Sequence, residues 1–285
     1  MSDVGQIERH TQNRIVKLFT DESGLGYINL GNWEDNPNNN NIEELYLKKY
    51  LVNKACYTEV MASRAIYKLK AEANNADRNL YNNNKEVYKL LRYGVEVSEG
   101  PGERYQRIHF INWDEPEKNH FGIAEEVTFH GYREKRPDIV LYVNGIALVV
   151  LELKRSTVTI GNGIRQSIVN QQKQFIEEFF PTIQLVMAGN DTEGLRYGTI
   201  GTPEKFFLRW KEDEEDSSQL QLDKYLAKIC NKKRLLEIIH DFVLFDGGIK
   251  KLPRYHQYFG IKAAQEHVRR REGGIIWHTQ GSGKS

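Results

Sequence analysis

The chain is poor in cysteine, in net charge and in long apolar runs. It has 285 residues but only two cysteines, Cys56 and Cys230, which lie far apart and in no metal-ligand spacing. This usage argues against a disulfide framework and fits a reduced compartment. Its 40 basic and 39 acidic side chains nearly cancel. Any binding of nucleic acid must therefore depend on local basic clusters.

Signals for secretion or for membrane insertion are also lacking. The N-terminal segment "MSDVGQIERHTQN" is polar and has no basic-then-apolar pattern. The longest apolar stretch is interrupted at Asn144-Gly145, well short of the roughly 20 residues that cross a bilayer. We therefore expect a soluble cytoplasmic protein without membrane contact.

Helical and strand patterns follow one another along the first 200 residues. A helix is predicted near the N-terminus, two or three helices follow, and strand patterns begin at about residue 94. This order favours an α/β or α+β domain with a mixed central sheet flanked by helices. The predicted helices cover 7–19, 42–93, 161–180 and 222–246, and the most apolar predicted strands cover 138–143, 146–153 and 182–190.

Three charged residues interrupt the apolar stretch "RPDIVLYVNGIALVVLELKR", residues 136–155. Glu152 and Lys154 share one face of a strand, because alternate residues do. The strands around them are apolar on both faces and so predicted to be central, where an unpaired charge is costly. Asp138 and Glu152 together would suit Mg²⁺, and Lys154 could orient a water or stabilise negative charge. The alternative is an ordinary Glu–Lys contact at a strand end.

Whether Asp138 joins this group depends on the register of the predicted hairpin. A two-residue Asn144-Gly145 loop alone would pair Asp138 with Leu151. A three-residue loop, or a β-bulge, would pair it with Glu152. The catalytic interpretation predicts the second register.

The same stretch resembles the nuclease core of type I restriction enzyme restriction subunits, which are PD-(D/E)xK nucleases. Pro137-Asp138 and Glu152-x-Lys154 match that motif. The resemblance implies a restriction-endonuclease-like fold and a Mg²⁺-dependent endonuclease acting on double-stranded DNA. It implies Asp138 and Glu152 as metal ligands and Lys154 as the catalytic base or charge stabiliser. It also implies an acid from the first helix, for which Glu8 is the candidate.

The resembled family carries a Gln-x-x-x-Tyr motif on the helix after the lysine strand. By spacing, Gln166 is the glutamine and Asn170 stands in the tyrosine position. Gln171 and Phe175 form a shifted near-match. Either pair shares one helix face. Gln166 is the predicted site residue, and a polar helix surface is the alternative.

The terminal sequence "IIWHTQGSGKS" predicts a phosphate-binding loop for ATP and Mg²⁺. It departs from the strict pattern at His278, where a glycine is required. A strand over 273–278 is expected to precede it. The loop resembles motif I of superfamily 2 helicases and translocases, and Gln257 is similar to the glutamine that these motors use near adenine. The predicted nucleotide-binding residues of the loop are Gly281, Ser282, Gly283, Lys284 and Ser285.

We expect a nuclease domain over 1–200, a helical linker over 201–248 and the start of a RecA-like ATPase over 249–285. The chain is then the N-terminal fragment of a restriction subunit. Its implied partners are DNA and the methyltransferase and specificity subunits. Arg133, Lys135 and Arg136 lie just before Asp138, where they could hold phosphates.

Two rival interpretations remain. One is a P-loop ATPase whose upstream domain is a non-catalytic DNA clamp, with a register that sends Asp138 away from Glu152. The other is a docking module for the methyltransferase complex, which would not bind Mg²⁺ at these carboxylates.

Overall fold

The computed structural model describes residues 3–212 and 220–277. Within these residues there are eight α-helices and eleven strands. The helices are α1 (Asp3–Thr20), α2 (Glu44–Asn53), α3 (Glu59–Ala73), α4 (Leu80–Tyr93), α5 (Ile160–Asn170), α6 (Gln221–Ile229), α7 (Lys232–Phe242) and α8 (Tyr255–Arg270). The strands are β1 (Ile28–Asn32), β2 (Val95–Val97), β3 (Gln106–Ile108), β4 (Phe121–Glu125), β5 (Ile139–Val143), β6 (Ile146–Leu153), β7 (Leu185–Asn190), β8 (Gly194–Gly198), β9 (Leu208–Arg209), β10 (Leu244–Asp246) and β11 (Ile249–Lys251).

A seven-stranded mixed sheet forms the centre of the fold, in the order β1-β4-β5-β6-β7-β8-β9. The β1–β4 and β6–β7 pairs are parallel, and the other neighbours are antiparallel. Every residue of β5 and β6 is buried. The expected mixed central sheet is confirmed, and its two most apolar strands lie in the middle of it.

A tight turn at Asn144-Gly145 joins β5 to β6. These residues have φ values of 54° and 85°, which a type I′ turn requires. A Cβ on Gly145 would lie 2.7 Å from the carbonyl oxygen of Glu43, so only glycine lets α2 pack this closely. The side-chain oxygen of Asn144 accepts a hydrogen bond from the His120 N–H at 2.7 Å. The turn is therefore in close contact with α2 and hydrogen-bonded to His120.

The two faces of the sheet bury different partners. Alternate residues of β5, including Leu141, face a large core with the helices α1 to α4, α6 and α7. Tyr142 and its neighbours on the opposite face pack against Phe179 and Phe180. Near the ends of β6 and β7 this second face is covered by α5. Both faces of the central strands β5, β6 and β7 are therefore closed to water.

The segment expected as a linker packs against the sheet. β9 adds a seventh strand at residues 208–209, and the predicted helix over 222–246 divides into α6, α7 and β10. The division occurs because the Asn231 side chain accepts a hydrogen bond from the Arg234 N–H at 3.3 Å and so begins a new helix. Leu226 and Leu235 are fully buried in the same core as the sheet.

Two other expected elements differ in the structure. The helix predicted over 161–180 ends at Asn170. The Asn170 carbonyl accepts a hydrogen bond from the Ile176 N–H at 3.2 Å. A separate 3-10 helix (Glu177–Thr182) follows and buries Phe179 and Phe180. The strand over 273–278 is absent from its described part, since residues 272–277 have no regular structure and pair with no described strand. A strand needs a neighbour for its hydrogen bonds. Over the described ranges, no helix is long and apolar enough to cross a membrane.

Candidate active site

Asp138, Glu152 and Lys154 lie together at one end of the β5–β6 hairpin. The Lys154 Nζ is 3.8 Å from Asp138 Oδ2 and 3.8 Å from Glu152 Oε2. The Glu152 side chain is fully buried, whereas those of Asp138 and Lys154 keep 20% and 14% of their exposure. The group therefore reaches solvent through Asp138 and Lys154.

A β-bulge produces this arrangement. Leu148 is the extra residue on β6, which shifts the pairing by one position between the turn and the middle of the strands. Ile139 then pairs with Leu151, so Asp138 lies across from Glu152. This is the second of the two registers considered from the sequence.

Backbone groups fix the carboxylate of Asp138 and the amine of Lys154. The Leu153 N–H donates to Asp138 Oδ2 at 2.6 Å, and Lys154 Nζ donates to the Leu153 carbonyl at 2.8 Å. The Lys154 N–H donates to the carbonyl of Gly189 on β7 at 2.9 Å. The rigid central strands thus hold both side chains.

The site favours protonation of its carboxylates. Burial raises the pKa of Glu152 well above its usual range; the nearby Asp138 raises it further, and Lys154 opposes both. Burial also raises the pKa of Asp138, against the effects of Lys154 and of the Leu153 N–H. Two carboxylates this close cannot both be charged without compensation. A further cation would lower that cost.

The donor atoms fit a hard divalent cation. Glu152 Oε2 is buried and has no hydrogen-bond partner in the described structure, although such atoms are nearly always satisfied. Among the described residues, no group of three or more His, Cys, Asp or Glu could hold a metal. Two carboxylates with open positions match Mg²⁺, which keeps several waters.

Helix α5 covers the site from the side. A Cβ on Gly163 would lie 3.4 Å from Lys154 Cγ and 3.5 Å from Glu152 Cβ. Because Gly163 has no side chain, α5 can lie close to these two residues. The Asn170 side-chain amide lies 3.5 Å from Glu152 Oε1 and is its hydrogen-bond donor. The residue in the tyrosine position of the resembled motif therefore contacts the predicted metal ligand.

The two candidate glutamines on and after α5 differ in their surroundings. The Gln171 side chain donates to the Ser167 carbonyl at 3.1 Å and accepts a hydrogen bond from the Gly201 N–H at 2.8 Å. The glutamine of the shifted near-match is therefore hydrogen-bonded to the backbone. Gln166 is half-buried, one helical turn from Asn170. Its catalytic role stays a prediction.

The end of β4 and helix α1 form another wall, which the sequence did not indicate. The Gln12 side chain donates to Glu125 Oε2 at 3.2 Å and to the Asp138 carbonyl at 3.5 Å. Glu126 has a φ of 50° and donates its N–H to the Asp138 carbonyl at 2.9 Å. Glu8 belongs to α1, but its side chain lies outside the described part of the structure.

The three basic residues before Asp138 have partners of their own. Arg136 forms ion pairs with Glu34 and Glu126. Lys135 lies over the ring of Phe175, with its Nζ 4.6 Å from the centroid. Arg133 is 5.9 Å from the same ring. Of the three, Arg136 lies near enough to Asp138 to lower the pKa of its carboxyl.

The family described as type I restriction enzyme R protein N terminus matches residues 6–205. The chain belongs to this family. A second model, SWI2/SNF2 ATPase, matches residues 256–285.

Curated relatives of this R protein N terminus agree with the assignment. The type I restriction enzyme HindI endonuclease subunit of Haemophilus influenzae is 29% identical over 231 residues, which are 71% of this chain and 21% of that protein. The putative type I restriction enzyme MjaVIIIP endonuclease subunit of Methanocaldococcus jannaschii is 26% identical over 224 residues, covering 70% and 21%. The chain thus spans about a fifth of the length of these relatives.

The predicted nucleotide loop follows α8 in the sequence. Gly281, Ser282, Gly283, Lys284 and Ser285 lie outside the described residues. Gln257 lies in the first turn of α8, where its side chain accepts the Arg254 N–H at 2.9 Å. Its role near adenine stays a prediction.

Proposed function

We propose that this chain is the endonuclease part of a type I restriction subunit and that it hydrolyses phosphodiester bonds in double-stranded DNA with the aid of Mg²⁺. The convergence of Asp138, Glu152 and Lys154 on one end of a rigid hairpin supports this proposal most strongly. The family membership supports the restriction context.

Asp138 and Glu152 would hold the metal through their carboxylate oxygens. A bound Mg²⁺ supplies a Lewis acid for the phosphoryl oxygen and lowers the pKa of a coordinated water. The unsatisfied Glu152 Oε2 and the partly exposed Asp138 leave positions for such a cation. Because both carboxylates are held by strands, little reorganisation would be needed.

Lys154 carries the remaining chemistry that we assign to the protein. Its ammonium group can hold the attacking water or stabilise the charge that develops on the phosphoryl oxygens. The water oxygen attacks phosphorus as the bond to the leaving oxygen breaks and the leaving oxygen takes a proton. Arg133 and Lys135, which lie just before Asp138 in the sequence, would hold neighbouring phosphates.

The proposal places the nuclease within a larger ATP-driven assembly. The match of residues 256–285 to a SWI2/SNF2 ATPase supports a translocase that follows the nuclease. ATP and a second Mg²⁺ would bind at Lys284 and Ser285. We further propose that methyltransferase and specificity subunits supply recognition of the DNA sequence.

The clamp interpretation requires Asp138 to point away from Glu152. The β-bulge at Leu148 brings the two residues together instead, and this observation favours the nuclease.

Cleavage of a supercoiled plasmid by the complete complex, with its partner subunits and ATP, tests the proposal. We expect cleavage with Mg²⁺, none with excess EDTA, and none with Asp138→Asn. Asp77→Asn, at an exposed loop position, is the matched control and should cleave as the wild type does. Cleavage by Asp138→Asn at the wild-type rate would exclude the assigned centre.

A further inference from the structure

A groove with a volume of about 1120 Å³ lies at the opposite end of the β5–β6 hairpin from the candidate active site. One wall is α2, and the other is formed by residues 109–120 with the ends of α4 and α7. The N–H of His120 in this wall donates a hydrogen bond to the side chain of Asn144 in the hairpin turn. Since a strand rises about 3.3 Å per residue, the groove lies roughly 20 Å from Asp138. We call it the α2 groove.

The face of α2 that lines the groove is polar and aromatic. Tyr46, Lys49, Tyr50 and Asn53 all line it, at the spacing of three and four residues that gives one helix face. Lys54 follows at the end of the helix. Lys49 and Asn53 on this face are exposed, whereas Tyr50 also packs into the core beside Leu47 and Leu51.

The charge of the groove is positive. Its lining contains Lys49, Lys54, Arg92 and Lys118, of which Lys118 pairs with Glu115 at 2.6 Å, and two acidic residues. One of these acids, Glu117, pairs with Lys232 at 3.3 Å. Lys49 and Lys54 are exposed, and neither forms an ion pair with a described residue. Two cations therefore face solvent without compensation.

Aromatic rings lie beside these cations. Tyr46 and His120 have centroids 5.9 Å apart, and Trp113 and His240 have centroids 4.9 Å apart. The Trp113 ring is fixed by a hydrogen bond from its Nε1 to the Leu91 carbonyl at 3.1 Å. Burial lowers the pKa of His120, and Lys49 lowers it further. The charged form of this ring is therefore disfavoured.

We propose that the α2 groove binds a short single strand of nucleic acid, with Lys49, Lys54 and Arg92 on the phosphates and the Trp113 and His120 rings against the bases. A cationic groove interleaved with aromatic rings is how proteins bind single strands without reading sequence. A duplex offers phosphates but keeps its base faces stacked inside, so it leaves the rings unused. An acidic peptide would also use the lysines but has no bases for the rings.

This site is separate from the nuclease centre, so binding to it can be measured without metal. Binding of a fluorescent single-stranded 12-mer to the 285-residue chain is measured by anisotropy in EDTA, so that no metal-dependent step contributes. We expect Lys49→Glu to weaken binding at least 5-fold and Lys17→Glu, on α1 outside the groove, to leave it unchanged. Lys49→Gln should reduce the salt slope by about 0.7, the value for one lost phosphate contact on a single strand.

The aromatic part of the site has its own variants. Trp113→Ala should weaken binding, and Trp113→Phe, which keeps a ring and loses the hydrogen bond, should restore most of it. The melting temperature of each variant separates a loss of binding from a loss of the fold. Because Lys49 is exposed, its variants should remain folded. Equal affinities for Lys49→Glu and the wild type, tighter binding of a matched duplex or an acidic peptide, or no binding by the wild type would each overturn the proposal.

Discussion

At the scale of single residues, Glu152 has the least ordinary surroundings. It is a fully buried carboxylate with one oxygen unpartnered, an amide from Asn170 on the other and a lysine 3.8 Å away. Burial of such a group normally costs more than one distant ion pair returns. A fold would be more stable without it, which is the expected signature of a residue kept for function.

Glu152→Gln should therefore stabilise the metal-free chain at neutral and alkaline pH. Because the pKa of Glu152 is raised by folding, its contribution to stability is present below the ordinary value near 4.5 and is lost as the pH rises through the raised pKa. We expect the gain to be measurable at pH 8, because the variant removes a buried group whose charged form the fold disfavours. The gain should vanish near pH 4.

Urea denaturation across this pH range, in EDTA, measures the difference between variant and wild type. Glu103→Gln, at an exposed position, controls for the loss of one negative charge. A variant less stable than the wild type at pH 8 would contradict the assignment.

At the scale of elements, the β5–β6 hairpin decides whether the site exists. The sequence identified both strands and the Asn144-Gly145 turn, because period, composition and turn chemistry are local signals. It left the register open, since a bulge at Leu148 has no distinctive residue. Likewise Gln12 and Glu126 could not be found from the sequence, because only the packing of α1 and β4 brings them to Asp138.

Gly145→Ala should destabilise the chain more than Gly102→Ala. Both glycines have a φ of 85°, but an added Cβ meets nothing within 4 Å at Gly102 and lies 2.7 Å from the Glu43 carbonyl at Gly145. Backbone strain of about 1–3 kcal/mol is common to both. The clash with α2 adds to it only at Gly145.

The free energies of unfolding in urea give the comparison directly. Equal losses of unfolding free energy for the two variants would contradict the close packing of α2 against the turn. The Gly145 variant should also lose cleavage activity in the complete complex if the altered turn shifts the register.

Helix α5 provides a second prediction at this scale. Gly163→Val should push the helix away from Glu152 and Lys154, because the added Cβ alone would lie 3.2 Å from Ala188 Cβ. We expect cleavage to fall at least about 10-fold, with Gly163→Ala intermediate, since displacement of supporting groups typically costs 10–100-fold. Ser156→Val, at an exposed position just before α5, serves as the control. Unchanged cleavage by Gly163→Val would show that α5 does not position the site.

At the scale of the whole molecule, the sheet and the segment after residue 200 form one core. Seven large aliphatic residues of α6 and α7 are buried against it, namely Leu222, Leu226, Ile229, Leu235, Leu236, Ile238 and Ile239. The sequence placed a linker here because an acidic stretch separates the two regions. Polarity of a connection does not indicate what the following helices pack against, so the contact of α6 and α7 with the core could not be predicted from the sequence.

A fragment of residues 1–212 should therefore fail to fold cooperatively. Each buried aliphatic side chain is worth about 1.5–3 kcal/mol, so the burial lost with α6 and α7 is comparable with the roughly 5–15 kcal/mol that stabilises an ordinary domain. Thermal unfolding followed by circular dichroism compares the fragment with the 285-residue chain. A fragment with the same midpoint would contradict the shared core.

The most direct test of the nuclease centre is cleavage by the complete complex carrying Lys154→Ala, with plasmid cleavage and ATP hydrolysis followed in the same tubes. Loss of a group that stabilises charge in the transition state typically costs 100- to 1000-fold. We predict that loss in cleavage with ATP hydrolysis retained, and no loss in either for the control Lys85→Ala. Cleavage by Lys154→Ala at the wild-type rate would contradict the account.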